Sequence, residues 1–135
     1  MKEQLVFVYG TLKEGHPNNV LMHDSKLIGR AITIDKYAMY QYGIPFVSKS
    51  SETSNISGEV YSVDKTSLYD LDILERHPEW YVREEVPVKV IDREGEIKTV
   101  EAWLYFNENI PLKAKLIETG IYGHKKSSRL NALLF

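Results

Sequence analysis

Glu75 stands where a surface glutamate would not. It closes the run Lys65-Thr66-Ser67-Leu68-Tyr69-Asp70-Leu71-Asp72-Ile73-Leu74-Glu75, whose leucines recur at helical spacing. At about 100° per residue, Leu68 and Leu71 mark a buried face that Leu74 widens. Glu75 follows Leu71 by four residues and Leu68 by seven, so it projects between them, about 20° from Leu68. Partial burial and the negative end of the helix dipole both raise a carboxyl pKa. A carboxyl tuned upward in this way can act as general base or acid near neutral pH. If the helix frays, the same side chain instead reaches water beside Arg76 or Arg83. Asp72 lies nearer the edge of this face, and Asp70 points away.

A second stretch has chemical potential. The apolar run Leu5-Val6-Phe7-Val8 stops at Tyr9-Gly10, followed by Thr11-Leu12-Lys13-Glu14-Gly15-His16-Pro17-Asn18. This pattern predicts a buried strand feeding a loop whose two glycines can both take positive φ. Such a loop can turn several N–H groups toward one point and hold an anion or a carbonyl oxygen; it can also be a plain turn. Its glycine spacing is neither that of a dinucleotide fold nor that of a P-loop.

These two stretches must be positioned by the elements around them. Leu5–Val8 is the first strand. Pro17 opens a short helix through Met22-His23, with Asn18 and Asn19 in its first turn. Leu27–Ile34 and Lys36–Tyr40 are predicted as separate strands, and Gly43-Ile44-Pro45-Phe46-Val47 as a turn into another. The serine-rich run Lys49–Asn55 is an exposed loop. Ser57–Val63 is a strand, and Asp64 caps the helix that carries Glu75. His77-Pro78 ends that helix, because a residue before proline avoids helical backbone. The β-rich runs Trp80–Asp92 and Ile97–Phe106 flank Arg93-Glu94-Gly95-Glu96 as a hairpin. Leu112–Glu118 is expected to form a short second helix. The resulting fold class is α+β, a small mixed β-barrel-like sheet with flanking helices, in one domain spanning residues 1–135.

Composition narrows the functions available. The net charge of −2 gives no basic surface for nucleic acid. The basic cluster His124-Lys125-Lys126 with Arg129 is expected to be a solvated tail. With no cysteine, disulfides, thiolate catalysis and zinc–thiolate sites are excluded. His16, His23, His77 and His124 are scattered without ligand spacing, so no metal site is expected. Thr11 and the serines lack a nucleophile elbow and a base partner. No apolar run is long enough to span a membrane, and polar Tyr9-Gly10 comes too early for a secretory leader. The expected setting is cytoplasmic, with neither nucleic acid nor membrane as partner. Trp80, Tyr81, Trp103 and Tyr105 alternate on two neighbouring strands, as core residues do; Tyr81 and Tyr105 are the candidates among them to line a cavity.

The two stretches together resemble the gamma-glutamylcyclotransferase-like family, most closely its gamma-glutamylamine cyclotransferase branch. The matching segments are Val6-Phe7-Val8-Tyr9-Gly10-Thr11-Leu12-Lys13 with Gly15 and Pro17-Asn18; Gly58-Glu59-Val60-Tyr61-Ser62-Val63-Asp64; and Leu71-Asp72-Ile73-Leu74-Glu75-Arg76-His77-Pro78 with Tyr81 and Arg83. Ile44-Pro45-Phe46 is a weaker fourth. The resemblance implies a small mixed barrel with the first loop and the helical glutamate facing one cavity. It implies conversion of a gamma-glutamyl amine or peptide to 5-oxoproline and free amine, without cofactor. By that likeness Glu75 is the general acid/base, and backbone groups of Tyr9, Gly10, Thr11 and Leu12 hold the glutamyl end. The residue reading leaves a second role open, a non-catalytic module binding an amino-acid-like ligand in the same cavity. Two departures stand out. Arg76 follows Glu75 where members commonly carry glycine, and the segment after Phe106 carries no usable likeness.

Overall fold

The structure is a computed structural model that describes residues 3–123. Strand β1 (Gln4–Val8) is buried on both faces: Phe7 packs into the barrel interior, while Val6 and Val8 face a second apolar cluster. That two-sided burial is why its sequence is a continuous apolar run and not an alternating one. β1 lies between two partners. Strand β4 (Ser54–Val63) runs antiparallel to it, and strand β6 (Ile97–Phe106) is parallel, with Val6 opposite Trp103.

β6 continues into an antiparallel hairpin with β5 (Val82–Ile91). The turn is built by Asp92, whose carboxylate accepts from the backbone N–H groups of Glu94 and Glu96, and by Gly95 at φ +80. Strand β2 (Lys26–Tyr42) pairs with both β5 and β4, closing a five-stranded mixed barrel in the order β2-β4-β1-β6-β5. The far half of β2 carries strand β3 (Ile44–Ser48) and the two-residue strand β7 (Lys115–Leu116). The interior is filled by Phe7, Met39, Ile56, Val60, Val88, Val90 and Leu104.

Helix α1 (Lys65–Leu74), the one α-helix among the described residues, joins β4 to β5. Asp64 caps it as expected, its carboxylate accepting from Ser67 N–H at 2.7 Å. Leu68 and Leu71 seat it on Val6, Val8, Tyr61 and Val63 of the barrel wall. The helix ends earlier than His77-Pro78 implies. Arg76 adopts left-handed backbone (φ 54), its N–H donates to Ile73 O, and His77 N–H donates to Asp72 O. These two bonds are the Schellman closure of a helix.

Three local expectations change. The separate strands predicted on either side of Asp35 are one long β2 with a bulge. There Thr33 Oγ1 donates to Asp35 O and accepts from Ile56 N–H, so a side chain replaces the missing ladder bond. Residues 112–118 form no second helix; β7 pairs with Tyr40 and Gln41, and Ile117 N–H donates to Met39 O, so the exposed edge of β2 captures the segment. The short helix after Pro17 is a single 3-10 turn, Asn19–Met22. The basic cluster His124-Lys125-Lys126 with Arg129 lies outside the described residues. No helix among the described residues is long and apolar enough to cross a membrane.

Candidate active site

The loop after β1 is clamped by its own side chains. Asn18 donates from its backbone to Thr11 O (2.9 Å) and from Nδ2 to Thr11 Oγ1 (2.8 Å). Asn19 Nδ2 bridges Leu12 O and the Tyr61 hydroxyl. Sequence reasoning placed both asparagines in a helical turn and missed this role; their value is long-range, and no local signal announces it. The loop's other side is tied down by Lys13 Nζ, which donates to Tyr122 O at 2.8 Å. Gly15 takes positive φ (+85), whereas Gly10 does not. Gly10 is required by space instead: a Cβ there would sit 2.7 Å from Pro45 Cγ. With the carbonyls thus engaged, the backbone N–H groups of Gly10, Thr11 and Leu12 have no acceptor among the described residues.

Glu75 faces this loop. Its helix is closed, not frayed: Glu75 N–H donates to Leu71 O, and Tyr81 N–H donates back to Glu75 O. The 75–81 segment therefore folds over the end of α1 and holds the side chain at a cavity of about 250 Å³. All seven sequence candidates line it, namely Tyr9, Gly10, Thr11, Leu12, Glu75, Tyr81 and Tyr105. The end of β1 (Phe7, Val8) and Asn18, Ile44, Pro45, Leu74, Arg76 and Trp80 complete the wall. Burial raises the Glu75 carboxyl from its ordinary value of 4.5 to about 7. Arg76 makes no ion pair with it, so the depression that a close cation would cause does not arise.

Three phenols surround the carboxylate, and each has committed its proton. Tyr9 donates to Tyr105 O at 2.6 Å, Tyr81 to Pro45 O at 2.7 Å, and Tyr105 to Asp72 Oδ1 at 2.7 Å. Burial raises all three pKa values, and the nearby Glu75 charge raises them further, so they stay protonated at neutral pH. Their oxygens keep lone pairs as acceptors. Asp72 also takes Arg83 in a fork, Nε to Oδ1 at 2.7 Å and Nη2 to Oδ2 at 3.1 Å, and the Arg83 guanidinium stacks 4.2 Å over Trp103. Burial alone would lift the Asp72 pKa, but the Arg83 and Tyr105 hydrogen bonds hold it below the ordinary value. The two carboxylates on one helix are thereby driven apart, one ionised and fixed, the other poised to exchange a proton.

One wall thus offers acceptors, a carboxylate and phenolic oxygens, and the other offers unpaired backbone donors. That division suits a small molecule with an ammonium at one place and a carbonyl or carboxylate at another. A larger hollow of about 400 Å³ lies beyond Lys13 and His16, over β2, β4 and β5, and does not include Glu75. No group of three His, Asp or Glu side chains able to hold a metal ion occurs among the described residues.

The small mixed barrel, with a buried carboxyl across one cavity from a donor loop, is that of an enzyme of the cyclotransferase class. The chain belongs to the gamma-glutamyl cyclotransferase, AIG2-like family, which matches residues 6–124. A Methanocaldococcus jannaschii relative with a provisional gamma-glutamylcyclotransferase name is 45% identical over 104 residues, covering 76% of this chain and 83% of its own. Gamma-glutamylaminecyclotransferase B of Danio rerio is 37% identical over 110 residues, 75% of this chain and 58% of that protein. Among solved structures, an AIG2-like protein from Mus musculus superposes with a TM-score of 0.76 at 26% identity, covering 96% of this chain and 100% of its own.

Proposed function

We propose that the protein converts a gamma-glutamyl amine or peptide to 5-oxoproline and a free amine, with Glu75 as general base and then general acid. The observation that carries this is a carboxyl raised to about 7 by burial, in one cavity with the unpaired N–H groups of residues 10–12. The substrate α-ammonium cannot attack until it loses a proton. A base with a pKa near 7 is ionised often enough to take that proton, and its acid form is strong enough to return one. The freed amine attacks the γ-carbonyl carbon, and the oxyanion that develops is stabilised by loop N–H groups. The bond from that carbon to the leaving nitrogen then breaks as Glu75 returns the proton. Over the whole reaction the α-nitrogen gives up two of its three protons, and the departing nitrogen leaves as an ammonium holding both. Both reacting groups belong to one molecule, so holding the glutamyl chain folded supplies much of the rate.

The raised Glu75 pKa weighs against the binding-module reading, because a binder of ammonium groups gains most from a carboxylate that stays fully ionised. Incubation with a panel of gamma-glutamyl amines and peptides, with 5-oxoproline measured, tests the proposal. Glu75→Gln keeps the shape and removes the base; turnover should fall about 10²- to 10⁴-fold, with a much smaller change in affinity. No 5-oxoproline from any conjugate, or a Glu75→Gln enzyme as fast as the parent, overturns it.

A further inference from the structure

Arg76 is the one non-glycine residue with positive φ among the described residues, and it stands beside Glu75 at the edge of the cavity. A left-handed backbone costs a residue with a side chain about 1 kcal/mol, so its retention at a cavity wall points to a use for the side chain. The peptide on either side is held: Arg76 N–H donates to Ile73 O, and Arg76 O accepts from Trp80 N–H at 2.8 Å. The guanidinium rests over the Trp80 ring, 5.8 Å from its centre. It is exposed and makes no ion pair with any carboxylate among the described residues. The acidic groups around it do not meet its fork: Asp72 is taken by Arg83 and Tyr105, and Glu79 lies along the neighbouring groove that Arg76 also lines.

The position of this cation relative to the reaction follows from the chemistry. If residues 10–12 hold the glutamyl end and Glu75 protonates the leaving nitrogen, the leaving group starts at Glu75 and extends outward. Arg76 and Trp80 line the same cavity, Arg76 exposed and next to Glu75 in the chain and Trp80 half-buried, so they stand where the cavity meets solvent. We infer that Arg76, braced on Trp80, selects substrates whose leaving amine bears a carboxylate, such as an amino acid or a peptide end, over uncharged alkylamines. A planar guanidinium with free donors matches a carboxylate in two-point fashion. The assignment rests on the proposed cyclotransferase reaction and adds its substrate class.

The test compares two conjugates that differ by one carboxylate, gamma-glutamyl-β-alanine and gamma-glutamyl-propylamide. The parent enzyme should favour the first by about three- to fivefold in kcat/KM, a factor set by one exposed charge-assisted pair. The preference should shrink as ionic strength rises. Arg76→Gln keeps the Cβ and its backbone cost, and should collapse the ratio toward one; Arg76→Lys should retain part of it. Equal parent rates on both conjugates, or a Gln variant that loses both in proportion, overturn the inference. If neither conjugate yields 5-oxoproline, the proposed reaction fails. Quenching of tryptophan fluorescence then still reads binding: the β-alanine conjugate binding more tightly in the parent alone supports the Arg76 assignment, and equal binding overturns it.

Discussion

Burial of Glu75 makes the protein's stability depend on pH in a direction opposite to that of an ordinary ion-paired carboxylate. The folded carboxyl holds its proton up to about 7, whereas in the unfolded chain it loses it near 4.5. Between those values the native state binds more protons than the unfolded state, so raising the pH favours unfolding. The stabilising contribution is fully present below pH 4.5 and is lost as pH rises through 7. The shift corresponds to about 3 kcal/mol, with a steepest slope of about 1.4 kcal/mol per pH unit. Glu75→Gln removes the ionisation and keeps the volume. Relative to the parent, the variant should therefore gain about 3 kcal/mol, or about 10 °C in melting temperature, between pH 4.5 and pH 8. Urea and thermal unfolding of both proteins at half-unit pH steps give the difference curve directly. A difference that stays flat across that range would refute the reasoning, because Glu75 would then titrate as it does in the unfolded chain.

Other substitutions separate the parts of the site. Arg76→Gly removes the left-handed strain and only a weak contact with Trp80, so it should stabilise the fold by about 0.5–1 kcal/mol in denaturant melts. Gly10→Ala places a methyl carbon 2.7 Å from Pro45 and must shift the donor loop. It should lower kcat/KM about 10- to 100-fold while circular dichroism stays that of the parent. Asp72→Asn weakens the holds on Arg83 and Tyr105 and should cost about 1–3 kcal/mol of stability. Its activity loss should be restored at lower temperature, which separates it from Glu75→Gln.

The features legible in the sequence are those written in local spacing. The leucine stripe places Glu75 on the packed face of α1, Asp64 caps that helix, and Asp92 with Gly95 turns the β5–β6 hairpin, because caps, helix faces and tight turns involve partners only two to seven residues away. The loop after β1 was legible as a loop of special backbone, though Gly10 serves close packing on Pro45 and not the positive φ expected of it.

The tertiary structure decided everything that depends on distant pairing. It joined two predicted strands across the Thr33 bulge, drew residues 115–117 onto the edge of β2, and closed the barrel through β2 and β5. It also converted Asp72, a bystander on the helical wheel, into the anchor of Arg83 and Tyr105, and set Glu75 across one cavity from residues 9–12. None of these follows from periodicity, because a strand's partner is chosen by the burial of the whole sheet and an alternating or apolar run is compatible with many neighbours. The sequence alone established which residue types were available for proton transfer and on which face of the helix Glu75 lies; only the closed barrel could remove water from Glu75, because that desolvation comes from side chains that meet nowhere in the linear chain.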